Sequence, residues 1–278
     1  MSEIQLTPAT GYDTSRMRFS VPIDGTVPES IPKIEFKRII ITTKYDDGQE
    51  GPLIIPTGRV FSFGVQENID PKTRKVNGYV VPLCLFDREA PTQYQKEWVE
   101  TFDNIVERIK THLIKVREEI GDYNLELSDL KKFNPLYWKK DKGKIVSGTG
   151  PTLYTKLIES RKNGTILTLF FDKHDNPINA IDLLGKYLHT EAAVKIESIF
   201  IGAKITLQVK LYEASEIELT KGGMSRLMAR PKAITEVKIN DSMNPMTDPT
   251  ENKDDILDSD NEDVMYLTKI KNPIKKGC

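Results

Sequence analysis

Residues 187–201 read YLHTEAAVKIESIFI and residues 204–212 read KITLQVKLY, joined by Gly202 and Ala203. Ile205, Leu207, Val209 and Leu211 alternate with Lys204, Thr206, Gln208, Lys210 and Tyr212. A period of two places the first set on one face of a strand and the second on the other. The stretch before Gly202 is equally rich in β-branched and aromatic residues, so the pair reads as two long strands with a tight connection.

Further strands are predicted upstream, at Lys33–Thr42 and Tyr79–Phe86, with an extended stretch over Pro52–Phe63 that Pro56 and Gly58 break. Asp46-Asp47-Gly48 marks a turn, and Asn163-Gly164 a hairpin between Leu153–Ile158 and Thr165–Phe171. One strong helical signal runs from about Thr92 to Ile120. Trp98, Phe102, Ile105, Ile109, Leu113 and Val116 recur at spacings of three and four, Thr92 is a natural N-cap and Gly121 a natural stop. His112 on this helix reads as an ordinary surface or boundary histidine. Short helical segments are expected at Asn179–Lys186 and Lys221–Ala229. The fold class is therefore α+β, mainly β: an OB-like, partly closed barrel or a curved antiparallel sheet with one long packed helix. Residues 1–32, with four prolines, read as an extended arm, 33–230 as a single domain, and 231–278 as a disordered tail.

The chain has 278 residues and a formal charge of −1, which hides an asymmetry. Residues 241–263 hold nine acidic residues and one lysine, a net −8; residues 1–240 carry +3. So polar and charged a segment cannot bury enough apolar surface to offset its ordering entropy. It reads as a solubilising tail, as a polyanion competing with nucleic acid, or as a docking segment for replication proteins, with Val264–Leu267 as a short motif. Two cysteines suit a reducing compartment, and no apolar run is long enough to cross a membrane. With no secretory leader or lipidation signal read, the expectation is a soluble intracellular protein.

The motifs of common catalysis do not appear. His112, His174 and His189 are scattered, without C-x-x-C or H-E-x-x-H, and no phosphate-binding glycine loop or nucleophile elbow is present. Asp172, Asp175 and Asn176 fit a turn better than any calcium loop. The reading is a non-enzyme without cofactor or metal. The sequence does contain a cluster of cations and rings over 131–144, KKFNPLYWKKDKGK. Lys131, Lys132, Lys139, Lys140, Lys142 and Lys144 are interleaved with Phe133, Tyr137 and Trp138. Cations that track phosphates and rings that stack on unpaired bases are what single-stranded nucleic acid requires; a solvated loop with its rings tucked onto the core is the bland alternative. Lys204, Lys210 and Tyr212 on the polar face of the last strand extend the candidate surface.

The segments PTLYTKLIES (151–160), ILTLFFDKHDNPI (166–178), DLLGKYLHTEAAVKIESIFIGAKITLQVKLYEA (182–214) and GGMSRLM (222–228) resemble a protein family of nucleocytoplasmic large DNA viruses. It comprises single-stranded DNA-binding proteins of the African swine fever virus type, with counterparts in mimivirus-like and algal viruses. The resemblance implies an OB-like barrel that binds single-stranded DNA, or RNA, without much sequence preference. It also implies action in viral replication, repair or recombination, in the factory of the host cytoplasm or packaged in the virion. Self-association stays open. The competing expectation is a structural or interaction protein of the virion or factory, with its basic patch facing an acidic protein.

Overall fold

The computed structural model describes residues 4–27, 34–71, 73–146, 148–160 and 162–220. The helix expected at Lys221–Ala229, the acidic stretch 241–263 and Val264–Leu267 lie outside the described residues. Strands β1 (Met17–Phe19), β2 (Ile23–Thr26), β3 (Glu35–Lys44), β4 (Glu50–Ser62), β5 (Gln66–Ile69) and β6 (Val76–Cys84) precede helix α1 (Gln93–Lys115). After it come β7 (Leu136–Tyr137), β8 (Lys140–Asp141), β9 (Lys144–Ile145), β10 (Thr152–Leu157), β11 (Leu169–Asp172), β12 (Leu188–Ile201) and β13 (Ile205–Leu219). The fold is mainly β with one long helix, as the sequence predicts.

Five strands curve into a closed ring. β12 pairs antiparallel with both β4 and β13. β4 pairs antiparallel with β6, β6 with β10, and β10 runs parallel to β13. Two seams are short: Phe61–Cys84 and Ser62–Leu83 join β4 to β6, and Lys156–Lys210 and Leu157–Leu211 join β10 to β13. Cross-strand pairs Leu53–Ile196, Ile55–Val194, Val194–Leu211 and Ile196–Val209 fill the interior, each of these residues at most 4% exposed. β1 and β2 both pair with β3, so residues 17–26 of the segment read as an extended arm lie on the body as added strands.

Pro56 and Gly58 do not break β4. The irregularity is taken up as a register shift opposite Glu191–Ala193, where the Ala192 N–H donates to Thr57 Oγ1 at 3.1 Å and Gly58 adopts φ +66°. The carbonyl of Pro56 serves the helix: Trp98 Nε1 donates to it at 2.9 Å and Tyr94 Oη at 3.0 Å. Thr92 caps α1 as predicted and forms a reciprocal capping box with Gln95. The helix ends at Lys115, short of Ile120; the chain continues in turns and reverses at Gly121, φ +80°. Among the described residues no helix is long and apolar enough to cross a membrane.

His112 belongs to the attachment of β1. Its ring stacks on Phe19 with centroids 3.9 Å apart and planes 9° from parallel, and its Nε2 is buried with no hydrogen-bond partner. Burial, with Arg108 and Lys115 nearby, holds the imidazole below its ordinary value. The unfolded chain therefore binds this proton more readily than the folded one, so stability falls as pH drops below the unfolded value, about 6.5. The melting temperature of His112→Phe, which keeps a stacking ring, is expected to fall less than that of the parent between about pH 7 and pH 5. Parallel melting curves for the two proteins would count against this assignment.

Candidate nucleic-acid interface

Alternation along the ring strands sorts their side chains into two layers. Val60, Leu83, Leu136, Leu153 and Leu188 turn inward and are buried. Their neighbours turn outward and fall into register. His189 pairs with Phe61, Phe61 with Cys84, Cys84 with Thr152, and Thr152 with Tyr137. One straight row thus crosses β12, β4, β6, β10 and β7, about 19 Å at the usual strand spacing of about 4.8 Å.

The row lines the floor of an open groove of about 840 Å³. A second tier on one side of the row comes from Tyr154 on β10 and from Phe63 and Tyr187, just beyond the ends of β4 and β12, while Phe86, just past β6, stands on the other side. Phe61 lies at the centre of the rings. It meets Phe63 edge-on at 5.3 Å, His189 at 5.5 Å and Tyr187 at 6.0 Å, and Phe63 meets Tyr187 at 5.7 Å. Tyr187 is 50% exposed and Tyr137 42%, a large aromatic surface to leave in water.

The floor carries no full charge near neutral pH. Burial, with Arg59 close by, lowers the His189 imidazole. Burial raises the Cys84 thiol and the Tyr154 phenol. Charges stand above it: the Arg88 guanidinium lies 5.2 Å from the Phe61 ring centre, the exposed Lys139 lines the wall, and the exposed Asp87 beside Arg88 is the one anion of the lining. Arg59 at the far side is paired with Glu218 at 3.0 Å. Neutral flat faces below and cations at the rim can hold unpaired bases and their phosphates.

The predicted residues divide. Tyr137 and Lys139 line the groove. Lys131 and Lys132 are exposed on a single 3-10 turn, and Lys140, Lys142 and Lys144 are exposed on the β8–β9 hairpin. Phe133 is in the core at 5% exposure, and half-buried Trp138 packs edge-on against Phe86 at 6.0 Å. Lys204 is exposed near the β12–β13 turn, away from the groove lining, and Tyr212 is half-buried. The open cationic face expected on the last strand is corrected. Gln208 and Lys210 are buried, and Lys210 Nζ lies 3.6 Å from Glu197, so β13 is covered on both sides there. Sequence reading missed Phe61, Phe63, Phe86, Arg88, Tyr154, Tyr187 and His189. The i, i+2 spacing of Phe61 with Phe63 and of Tyr187 with His189 was the available signal.

A family model described as "Protein of unknown function (DUF2738)" matches residues 10–259. The chain belongs to the DUF2738 family. The DUF2738 match takes in every residue of the groove. "Uncharacterized protein 007R" of Invertebrate iridescent virus 3 is 28% identical over 172 residues, 60% of this chain. The chain spans only 36% of that relative's length. The "Early 31 kDa protein" of Frog virus 3 is 26% identical over 220 residues, covering 76% of this chain and 79% of that protein.

Proposed function

We propose that this protein binds single-stranded DNA without sequence preference and serves viral DNA replication, repair or recombination. The observation that carries the reading is the register row His189–Phe61–Cys84–Thr152–Tyr137 with its second tier of rings, an uncharged floor edged by Arg88 and Lys139. Each base offers a ring face whatever its identity, so stacking of this kind is sequence-tolerant. Paired bases in a duplex present no free face to it. The order of the ring strands supports the same reading. Counted along the chain they run first, second, third, fifth, fourth, with the one parallel contact between third and fifth, the arrangement of OB-type folds. The Frog virus 3 relative is named an early protein, and early timing suits a role in copying DNA better than one in building particles.

The role assigned is binding, with no bond made or broken. Fluorescence anisotropy with labelled single-stranded DNA, duplex DNA and single-stranded RNA of one length tests it. Unrelated single-stranded sequences are expected to bind alike, with the duplex at least about tenfold weaker, the loss of one or more stacked bases. The RNA arm reads whether a 2′-hydroxyl is tolerated. Equal binding of duplex and single strand, or no binding of the single strand, would overturn the proposal.

A further inference from the structure

The wall of the groove carries a projection whose composition packing does not explain. Lys139 and Gly148–Gly150 line the same groove, and the chain between them leaves it and returns. β8 and β9 pair Lys140 with Ile145 and Asp141 with Lys144, and the Val146 N–H donates to the Lys139 carbonyl at 2.9 Å, carrying the ladder down to the wall. Lys142 (φ 48°) and Gly143 (φ 83°) form the left-handed two-residue turn that suits a twisted hairpin. These two strands form a sheet of their own, and every residue from 139 to 145 is exposed. Four lysines against Asp141 leave this finger at +3. From root to tip it spans three residues, about 10 Å.

Size gives the finger a task. A groove of 840 Å³ is no larger than the pockets of about 300–1,000 Å³ that take one small ligand, room for a few bases. Single-strand binders of the OB type occupy about 4–16 nucleotides per unit. A strand much longer than about four nucleotides must then run beyond the groove, and a row of exposed lysines stands where the groove wall ends.

We infer that the β8–β9 finger is a second, separable part of the nucleic-acid site, which takes the phosphates of a single strand as it leaves the ring-lined groove. This rests on the single-strand reading above. Groove and finger then contribute differently: the groove mainly by stacking, with the few phosphates that Arg88 and Lys139 meet at its rim, and the finger by displacing counterions, so that the finger adds a salt-dependent increment of its own.

The test measures anisotropy of labelled oligothymidylates of about 4 and about 12 nucleotides with the full chain and two variants. Lys140→Gln/Lys142→Gln/Lys144→Gln alters only exposed side chains and leaves the groove rings in place. On the longer strand its salt slope is expected to be shallower by about 2, from about 0.7 for each of three phosphates, with affinity down by about 30-fold at about 0.2 M salt. On the shorter strand it is expected to bind like the parent. Tyr187→Ala, in the groove, should weaken both lengths alike. If the parent binds and the triple variant keeps the parent's slope on the longer strand, the finger is overturned and the groove reading stands. Equal losses on both lengths would overturn the separation of the two parts. A parent that binds neither length overturns both readings.

Discussion

Trp98→Ala is expected to lower the unfolding free energy by about 3–5 kcal/mol, the cost of emptying a large aromatic site in a core. Trp98 is 2% exposed and stacks on Phe102, centroids 5.4 Å apart and planes 13° from parallel. Its hydrogen bond to the Pro56 carbonyl is the smaller part of the loss, because Tyr94 Oη donates to the same oxygen. Removing the indole therefore leaves that carbonyl satisfied, and the cavity dominates. Trp98→Phe separates the two contributions: it keeps most of the volume and gives up the N–H, worth about 1 kcal/mol. Denaturant titrations of both variants check the order. An Ala variant as stable as the Phe variant would mean that α1 is not keyed to β4 through this ring.

Combining Phe63→Ala with Tyr187→Ala is expected to weaken single-strand binding by about 2–6 kcal/mol, from about 1–3 kcal/mol for each stacked base. Their rings touch edge-on at 5.7 Å, so the two losses are coupled and the double variant need not equal the sum of the singles. Tyr187 is half exposed, and its removal leaves little cavity, so the melting temperature of Tyr187→Ala should stay near that of the parent. Anisotropy beside thermal melts decides the matter. Parental binding by the double variant with an unchanged melt would show that the exposed rings serve something other than bases.

The sequence made the strands and the helix legible because both rest on local periodicity. Trp98, Phe102, Ile105, Ile109 and Leu113 mark a buried helix face, and all five are buried. The sequence pattern marks β13 only to Tyr212, whereas the strand runs to Leu219. The register with β12 shifts along the strand and Glu216 sits at φ +52°, so the alternation that signals a strand is interrupted there. The polar face of Gln208 and Lys210 looked open because alternation reports which side a residue faces, not what covers that side. The groove was illegible for a further reason. Its floor row is assembled from residues 61, 84, 137, 152 and 189, which only strand pairing brings together. The lysine-rich run 131–144 was visible as composition, yet it spans a core ring, a groove wall and a projecting hairpin.

Closure of the ring also sets an order of events as the chain is made. β4 has its longest partner in β12, with Leu53 opposite Ile196, and β10 reaches the ring's far side only through β13. Both closing strands come last among the described elements. Contacts between segments so distant in sequence are slow to form, because the loop between them must be closed before the contacts repay it. Until residues 188–219 emerge from the ribosome, β4 and β10 present open hydrogen-bonding edges beside apolar residues meant for the interior. Such edges are templates for pairing with another chain. The nascent protein is thus most exposed to self-aggregation just before its final hairpin appears, and a chain cut before Leu188 keeps those edges permanently.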